Sequence, residues 1–137
     1  MKKYLILVAF LSLVVLISGN SLAASDNLND HEMMVGLGFP TVGWAQYNEA
    51  QELTGYKGIN IGLGYSSKNY MEPGLKEGEF NTYWGWGTVA LIWPYGELGV
   101  DYPFAVSENG NFWTAGGSIT VLAPLIPSPT VNFSYHF

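Results

Sequence analysis

At 137 residues the chain suffices for one domain and hardly for two. Its 11 acidic residues stand against five lysines and no arginine, which excludes a nucleic-acid binder, since the phosphate backbone is held by basic side chains. It has no cysteine, which excludes a disulfide framework and a thiolate metal site.

The first 23 residues read as a cleaved secretory signal peptide. Lys2 and Lys3 form a basic start, Tyr4 to Ile17 an apolar run, and Ser21-Leu22-Ala23 a small-x-small cleavage site. The alternative is an uncleaved anchor, for which the run is short. Cleavage after Ala23 leaves 114 residues with Lys57, Lys68 and Lys76 as the only cations and a formal charge of −8. Residues 24–32 carry Asp26, Asp30 and Glu32 and read as a flexible acidic tail; residues 33–137 form the folded domain.

From Val35 onward the pattern is that of strands. Val35, Leu37 and Phe39 alternate with Gly36 and Gly38, and the apolar parity flips after Pro40-Thr41 to Val42 and Trp44. Asn48 to Gly55 is a loop. Ile59, Ile61, Leu63 and Tyr65 alternate with Asn60, Gly62, Gly64 and Ser66, which predicts one strand. Ser67 to Glu79 is the longest loop and holds Lys68, Glu72, Lys76, Glu77 and Glu79. Phe80 to Trp93 is free of charge, with a second parity flip near Gly85 to Gly87, and Pro94 to Glu97 is a tight turn. Leu98, Val100, Tyr102, Phe104 and Val106 then alternate with Gly99, Asp101, Pro103 and Ala105. Asn109-Gly110 predicts a type I′ hairpin turn. Trp113, Ala115, Gly117, Ile119 and Val121 continue one face, and Thr114, Gly116, Ser118 and Thr120 the other. A turn within Pro124 to Pro129, centred on Ser128, sets Thr120 opposite His136, Val121 opposite Tyr135 and Ile119 opposite Phe137.

In the last eight residues Val131, Phe133, Tyr135 and Phe137 share one face, and Thr130, Asn132, Ser134 and His136 the other. A soluble barrel would show water a charged face, yet Asn109 to Phe137 contains no ionisable residue of the Asp, Glu, Lys or Arg type. The pattern therefore predicts an apolar exterior toward lipid and a polar lumen containing Asp101, Asn132, Ser134 and His136. Trp84 and Trp93, nine residues apart and read on one strand, would be separated by roughly 23 Å of membrane normal. Together with Trp113 they are the candidate interfacial aromatics. Read as β-bulges, the two parity flips give six strands, which suits the lengths; read as turns they give eight, and termini on one side require an even number.

A terminal strand with alternate aromatics and a C-terminal phenylalanine resembles that of small bacterial outer-membrane β-barrel proteins. The resemblance implies an all-β fold, an antiparallel up-and-down barrel of six to eight strands of the outer-membrane type. It also implies that Phe133, Tyr135 and Phe137 form an assembly signal for the barrel-assembly machinery, and that outer-membrane lipid is the surrounding partner. The role would be structural, in envelope integrity, or a narrow porin-like passage, with no cofactor; a homo-oligomer whose chains share one composite barrel stays open. Two readings from other classes stand beside it: a soluble secreted barrel or sandwich binding an apolar ligand, and a lipid-modifying envelope enzyme.

For the enzyme, Ser134 and His136 are the candidates, with Ser118 or Asp101 nearby, but positions two apart on a strand are separated by roughly 6–7 Å, too far for a direct bond. No catalytic, cofactor-binding or metal residue is assigned on this basis. His31, Glu32 and Asp30 read as a solvated tail and not as metal ligands. Gly36-Leu37-Gly38 and Gly62-Leu63-Gly64 lack the following helix and lysine of a phosphate loop.

Overall fold

Pro40 and the left-handed residues Ala90 and Leu91 decide the strand count. In the computed structural model, which describes residues 28, 31–60 and 63–137, the parity flip at Pro40-Thr41 is a turn, whereas Gly85 to Gly87 lie inside a continuous strand and the chain reverses after it, at 90–92. The strands are β1 (Met33–Leu37), β2 (Val42–Tyr47), β3 (Leu53–Ile59), β4 (Tyr65–Tyr70), β5 (Asn81–Val89), β6 (Trp93–Phe104), β7 (Phe112–Leu122) and β8 (Ile126–His136). Each pairs antiparallel with the next, and β8 pairs back onto β1, so eight strands close an up-and-down barrel.

The six-strand reading is corrected by local chemistry. At 38–41 Pro40 has no N–H to give a ladder, and Gly36 N–H donates instead to Thr41 C=O at 2.9 Å. At 90–92 Ala90 (φ 52°) and Leu91 (φ 65°) reverse the chain, with Ile92 N–H donating to Val89 C=O at 3.3 Å. Two consecutive left-handed residues are the geometry usually given to Asn-Gly, so Ala-Leu carries no visible turn signal. The alternation from Ile59 to Tyr65 is likewise not one strand. β3 ends at Ile59, β4 starts at Tyr65, and the two residues face each other across the ladder, which keeps both on the same side.

Two further expectations move. Pro94 to Glu97 lies inside β6, not in a turn. The last hairpin turns at 123–125, so Thr120 faces Ser128 and Trp113 faces Tyr135, eight residues from the expected register. An even shift preserves the faces, which is why the apolar side chains still meet. At 105–111 Ala105 (φ 52°) and Gly110 (φ 81°) are left-handed and Asn109 is not, so Asn109-Gly110 sits in a longer loop and not in a two-residue type I′ turn.

The barrel is uneven. β6 has 12 residues and β3 has 7, which at ordinary rise and tilt makes one wall roughly 30 Å tall and the opposite one roughly 18 Å. The end that holds the C-terminus and the start of β1 also carries the loops 48–52, 71–80 and 105–111; among the described residues the other end carries only the turns 38–41, 60–64, 90–92 and 123–125. Above Phe133 β8 has no β1 partner, and Pro127 and Pro129 lie along that open edge.

The expected signal peptide (1–23) and most of the tail (24–32) lie outside the described residues. Within that tail Leu28 and His31 are buried at the terminus end of the barrel, where His31 N–H donates to Tyr47 Oη at 3.2 Å.

Candidate functional site

The inward faces of the strands build a column of polar and aromatic side chains. Nearest the termini, His31 Nε2 lies 2.6 Å from Tyr56 Oη, Tyr56 Oη 2.7 Å from His136 Nδ1, and His136 Nε2 3.0 Å from Thr114 Oγ1. Phe112 stacks flat on His136 with centroids 4.4 Å apart. Every link joins residues on different segments of the chain, so the run of bonds fixes the bottom of the lumen crosswise.

One layer up, Lys68 of β4 forms an ion pair with Asp101 of β6, and Tyr70 Oη donates to the same Asp101 Oδ2 at 2.7 Å. The Lys68 ammonium also sits 3.9 Å from the Tyr83 ring centroid, a cation–π contact in a site closed to water. Asn132 Nδ2 donates to Tyr83 Oη. Toward the turn end, Ser118 Oγ donates to Glu97 Oε2 at 3.2 Å, Thr120 Oγ1 lies 3.1 Å from Thr130 Oγ1, and Ser66 bonds Tyr95. Phe39 packs on Tyr95 with centroids 4.6 Å apart. Tyr56, Phe112, Asp101 and Tyr83 are wholly buried in the lower and middle layers, and Tyr95, Glu97 and Thr120 are buried in the layer toward the turns, so side chains fill the lumen through all three.

Outside, the polarity is reversed. On the tall wall Leu98, Ile119 and Val131 are 57, 52 and 64% exposed, and Trp84, Trp86 and Phe133 project beside them. A shallow apolar groove of ≈ 410 Å³ runs over this outer surface between Met71, Leu98, Val100 and Ile119, where Gly117 contributes no side chain. The outward face of the short wall is more mixed: Lys57, Ser67 and Asn69 lie there with Trp44, Ile59 and Tyr65.

The residues singled out from the sequence take these places. Asp101, Asn132, Ser134 and His136 are all buried inside the barrel. Phe133, Tyr135 and Phe137 are on its outside, where Trp113 stacks on Phe133 and Tyr135 on Phe137. Trp84 and Trp93 do not share a strand. Trp84 is in β5 and Trp93 opens β6 opposite Val89, so the height between them is about 13 Å, five residues' worth, and not a membrane's thickness. Trp93 and Trp113 stand at opposite ends of the tall wall, because Trp113 faces Phe104, eleven residues along β6 from Trp93, or roughly 28 Å; the odd separation puts Trp113 on the outward face and Trp93 on the parity of Tyr95 and Glu97, at the rim. His136 gives both ring nitrogens to Tyr56 and Thr114 and none to Ser134. Among the described residues no group of three or more His, Cys, Asp or Glu side chains converges as for a metal; Asp30 lies outside those residues.

Sequence reasoning missed Lys68, Glu97, Tyr56 and Tyr83. Lys68 was hidden by its charged neighbours downstream, although Asp101 on an inner face in a chain without arginine calls for a lysine. Glu97 was lost to the turn read at Pro94. No protein family, curated protein or solved structure matches the chain.

Proposed function

We propose that this chain is a small integral outer-membrane β-barrel with a structural, envelope-integrity role, and that its lumen does not conduct. The observation that carries this reading is the reversed polarity of the barrel. Large apolar side chains stand exposed on the wall while an ion pair, two imidazoles and a row of hydroxyls are buried inside. In water that arrangement loses on both counts, since apolar surface stays hydrated and charges are desolvated; in lipid it gains on the first. The filled lumen argues against a passage, and against the alternative of a soluble barrel with an apolar ligand inside. Lys57 is the one charged residue on an outward strand face among the described residues, and its four-carbon stem lets the ammonium reach toward the nearer water surface.

Phe133, Tyr135 and Phe137, exterior on the closing strand, are the residues the barrel-assembly machinery would meet. The test is fractionation of the expressed chain. The expected result is recovery with the outer membrane, a need for detergent, and faster gel migration unheated than boiled. Folded protein released into detergent-free buffer refutes the reading.

A further inference from the structure

The turn end of the barrel carries a set of leucines placed against ordinary turn chemistry. Leu63 (φ 66°), Leu91 (φ 65°) and Leu125 (φ 70°) each hold a left-handed backbone in a different turn. They are 74, 67 and 81% exposed, and Ile92 and Ile126 stand exposed beside two of them. Asn or Gly would take such positions with less strain and better solubility. At its other end the left-handed positions among the described residues are held by glycine (Gly74, Gly78, Gly110), by Gln51 and by Ala105, and none by leucine.

Charge divides along the same axis. Glu49 and Glu52, Glu72 to Glu79 and Glu108 all lie in loops of the terminus end, whereas the turns 38–41, 60–64, 90–92 and 123–125 contain no Asp, Glu, Lys or Arg. The apolar tips continue upward from the apolar tall wall, and Trp93, on the inward parity of β6 but 56% exposed at its rim, stands next to them. That wall, at roughly 30 Å, is about as tall as a hydrocarbon core, so its tips stop at the far boundary, and the short wall ends well inside it.

We propose that the turn end is an insertion face. Leu63, Leu91, Ile92, Leu125 and Ile126 lie in the acyl region of the distal leaflet, and the barrel presents water with its charged terminus end alone. This rests on the outer-membrane reading and goes beyond it, because a barrel that merely crosses a bilayer would offer water a polar face at both ends.

Absence of cysteine allows single-site probes. In the protein refolded into vesicles of phosphatidylethanolamine and phosphatidylglycerol, an environment-sensitive fluorophore is attached to Leu63→Cys, Leu91→Cys, Leu125→Cys, Ile119→Cys on the wall and Glu108→Cys at the charged end. Heat-modifiable migration first shows which variants fold, with Ile92→Cys and Ile126→Cys standing in for any leucine variant that does not. The expected result is that the tip probes are quenched by acyl-chain nitroxides as strongly as the wall probe and are shielded from iodide inside or outside the vesicle, while the Glu108→Cys probe is not. Tip probes that respond to iodide like Glu108→Cys, with the wall probe still quenched from lipid, overturn the insertion face and leave the membrane barrel standing. A wall probe that also answers only to iodide overturns both. As a second measurement, Leu91→Asn with Leu125→Asn keeps the left-handed turns but removes the apolar tips; insertion should slow about tenfold or more from the lost transfer free energy. An unchanged rate overturns the proposal.

Discussion

Replacing Lys68 by methionine isolates the buried ion pair. Lys68 and Asp101 expose only 4% and 1% of their side chains, so Lys68→Met leaves Asp101 with a single donor, the Tyr70 hydroxyl, in a site closed to water. Removing one partner of a buried pair typically costs about 3–5 kcal/mol, because the remaining charge is desolvated without compensation. With a urea m-value near 2 kcal/mol/M for a domain of this size, the unfolding midpoint should fall by about 1.5–2.5 M. Methionine keeps most of the volume and can still lie against the Tyr83 ring, so little of that loss would come from a cavity. The double variant Lys68→Met with Asp101→Asn removes both charges, while the amide oxygen that the second substitution introduces can still accept from Tyr70. It should therefore recover most of the stability. The assay is urea unfolding in detergent micelles, followed by tryptophan fluorescence, on wild type, both single variants and the double. A single-variant shift below about 0.5 M, or a double variant as unstable as the two singles summed, would refute the ion pair as the anchor of the lumen.

Tyr56→Phe cuts the link between His31 and His136 and leaves buried ring nitrogens without that partner; urea midpoints should report a loss of about 1–3 kcal/mol, and a loss under about 0.5 would show the bonds to be incidental. Ile119→Arg, on the tall wall, should cost about 2–4 kcal/mol when the protein folds into vesicles, if lipid is its neighbour, whereas a residue facing water would change stability by under about 0.5 kcal/mol. Deleting Phe137 removes the carbonyl that accepts from Glu32 and Met33 N–H at 3.0 and 2.8 Å and the N–H that donates to Met33 C=O at 2.9 Å. The folded fraction on an unheated gel should fall further for the deletion than for Phe137→Ser, and equal losses would mean that the seam is not closed by this backbone.

The second half of the barrel was legible because its strands are long and strictly alternating. From Leu98 to Phe104 and from Phe112 to Phe137 each face was assigned as the structure has it, even where the register was eight residues off, since parity survives an even shift. The expectation fails at Ala105 (φ 52°), which breaks the alternation, leaves itself exposed and turns Val106 in against the core. The first half was not. Its strands of five to seven residues are joined by turns that lack Asn-Gly, and Ile59 to Tyr65 keeps perfect alternation straight through a reversal of direction. The lumen was half visible: polar residues on a known inner face could be read directly, but Lys68 and Glu97 needed strand boundaries that periodicity cannot supply. His31 was beyond reach, because its burial depends on the chain before β1 folding back onto Tyr47 and Tyr56.

The inward glycines explain how so narrow a barrel holds so much. A Cβ on Gly99 would come within 2.7 Å of Tyr83 Cζ, one on Gly87 within 2.9 Å of Tyr95 Cε1, and one on Gly85 within 2.7 Å of Glu97 Oε1. Each large inward side chain thus leans over a neighbouring strand at a position that has no side chain of its own. An eight-stranded barrel has an interior just wide enough for side chains to fill, and here the volume is shared unevenly, with tyrosines and charged groups opposed by glycine. Enlarging one of these glycines would displace the tyrosine or carboxylate above it and break that residue's bond to Asn132, Ser66 or Ser118. The glycines are therefore as much a part of the plug as the residues that cover them, and a barrel filled in this way leaves its outer surface as the face on which the proposed membrane role rests.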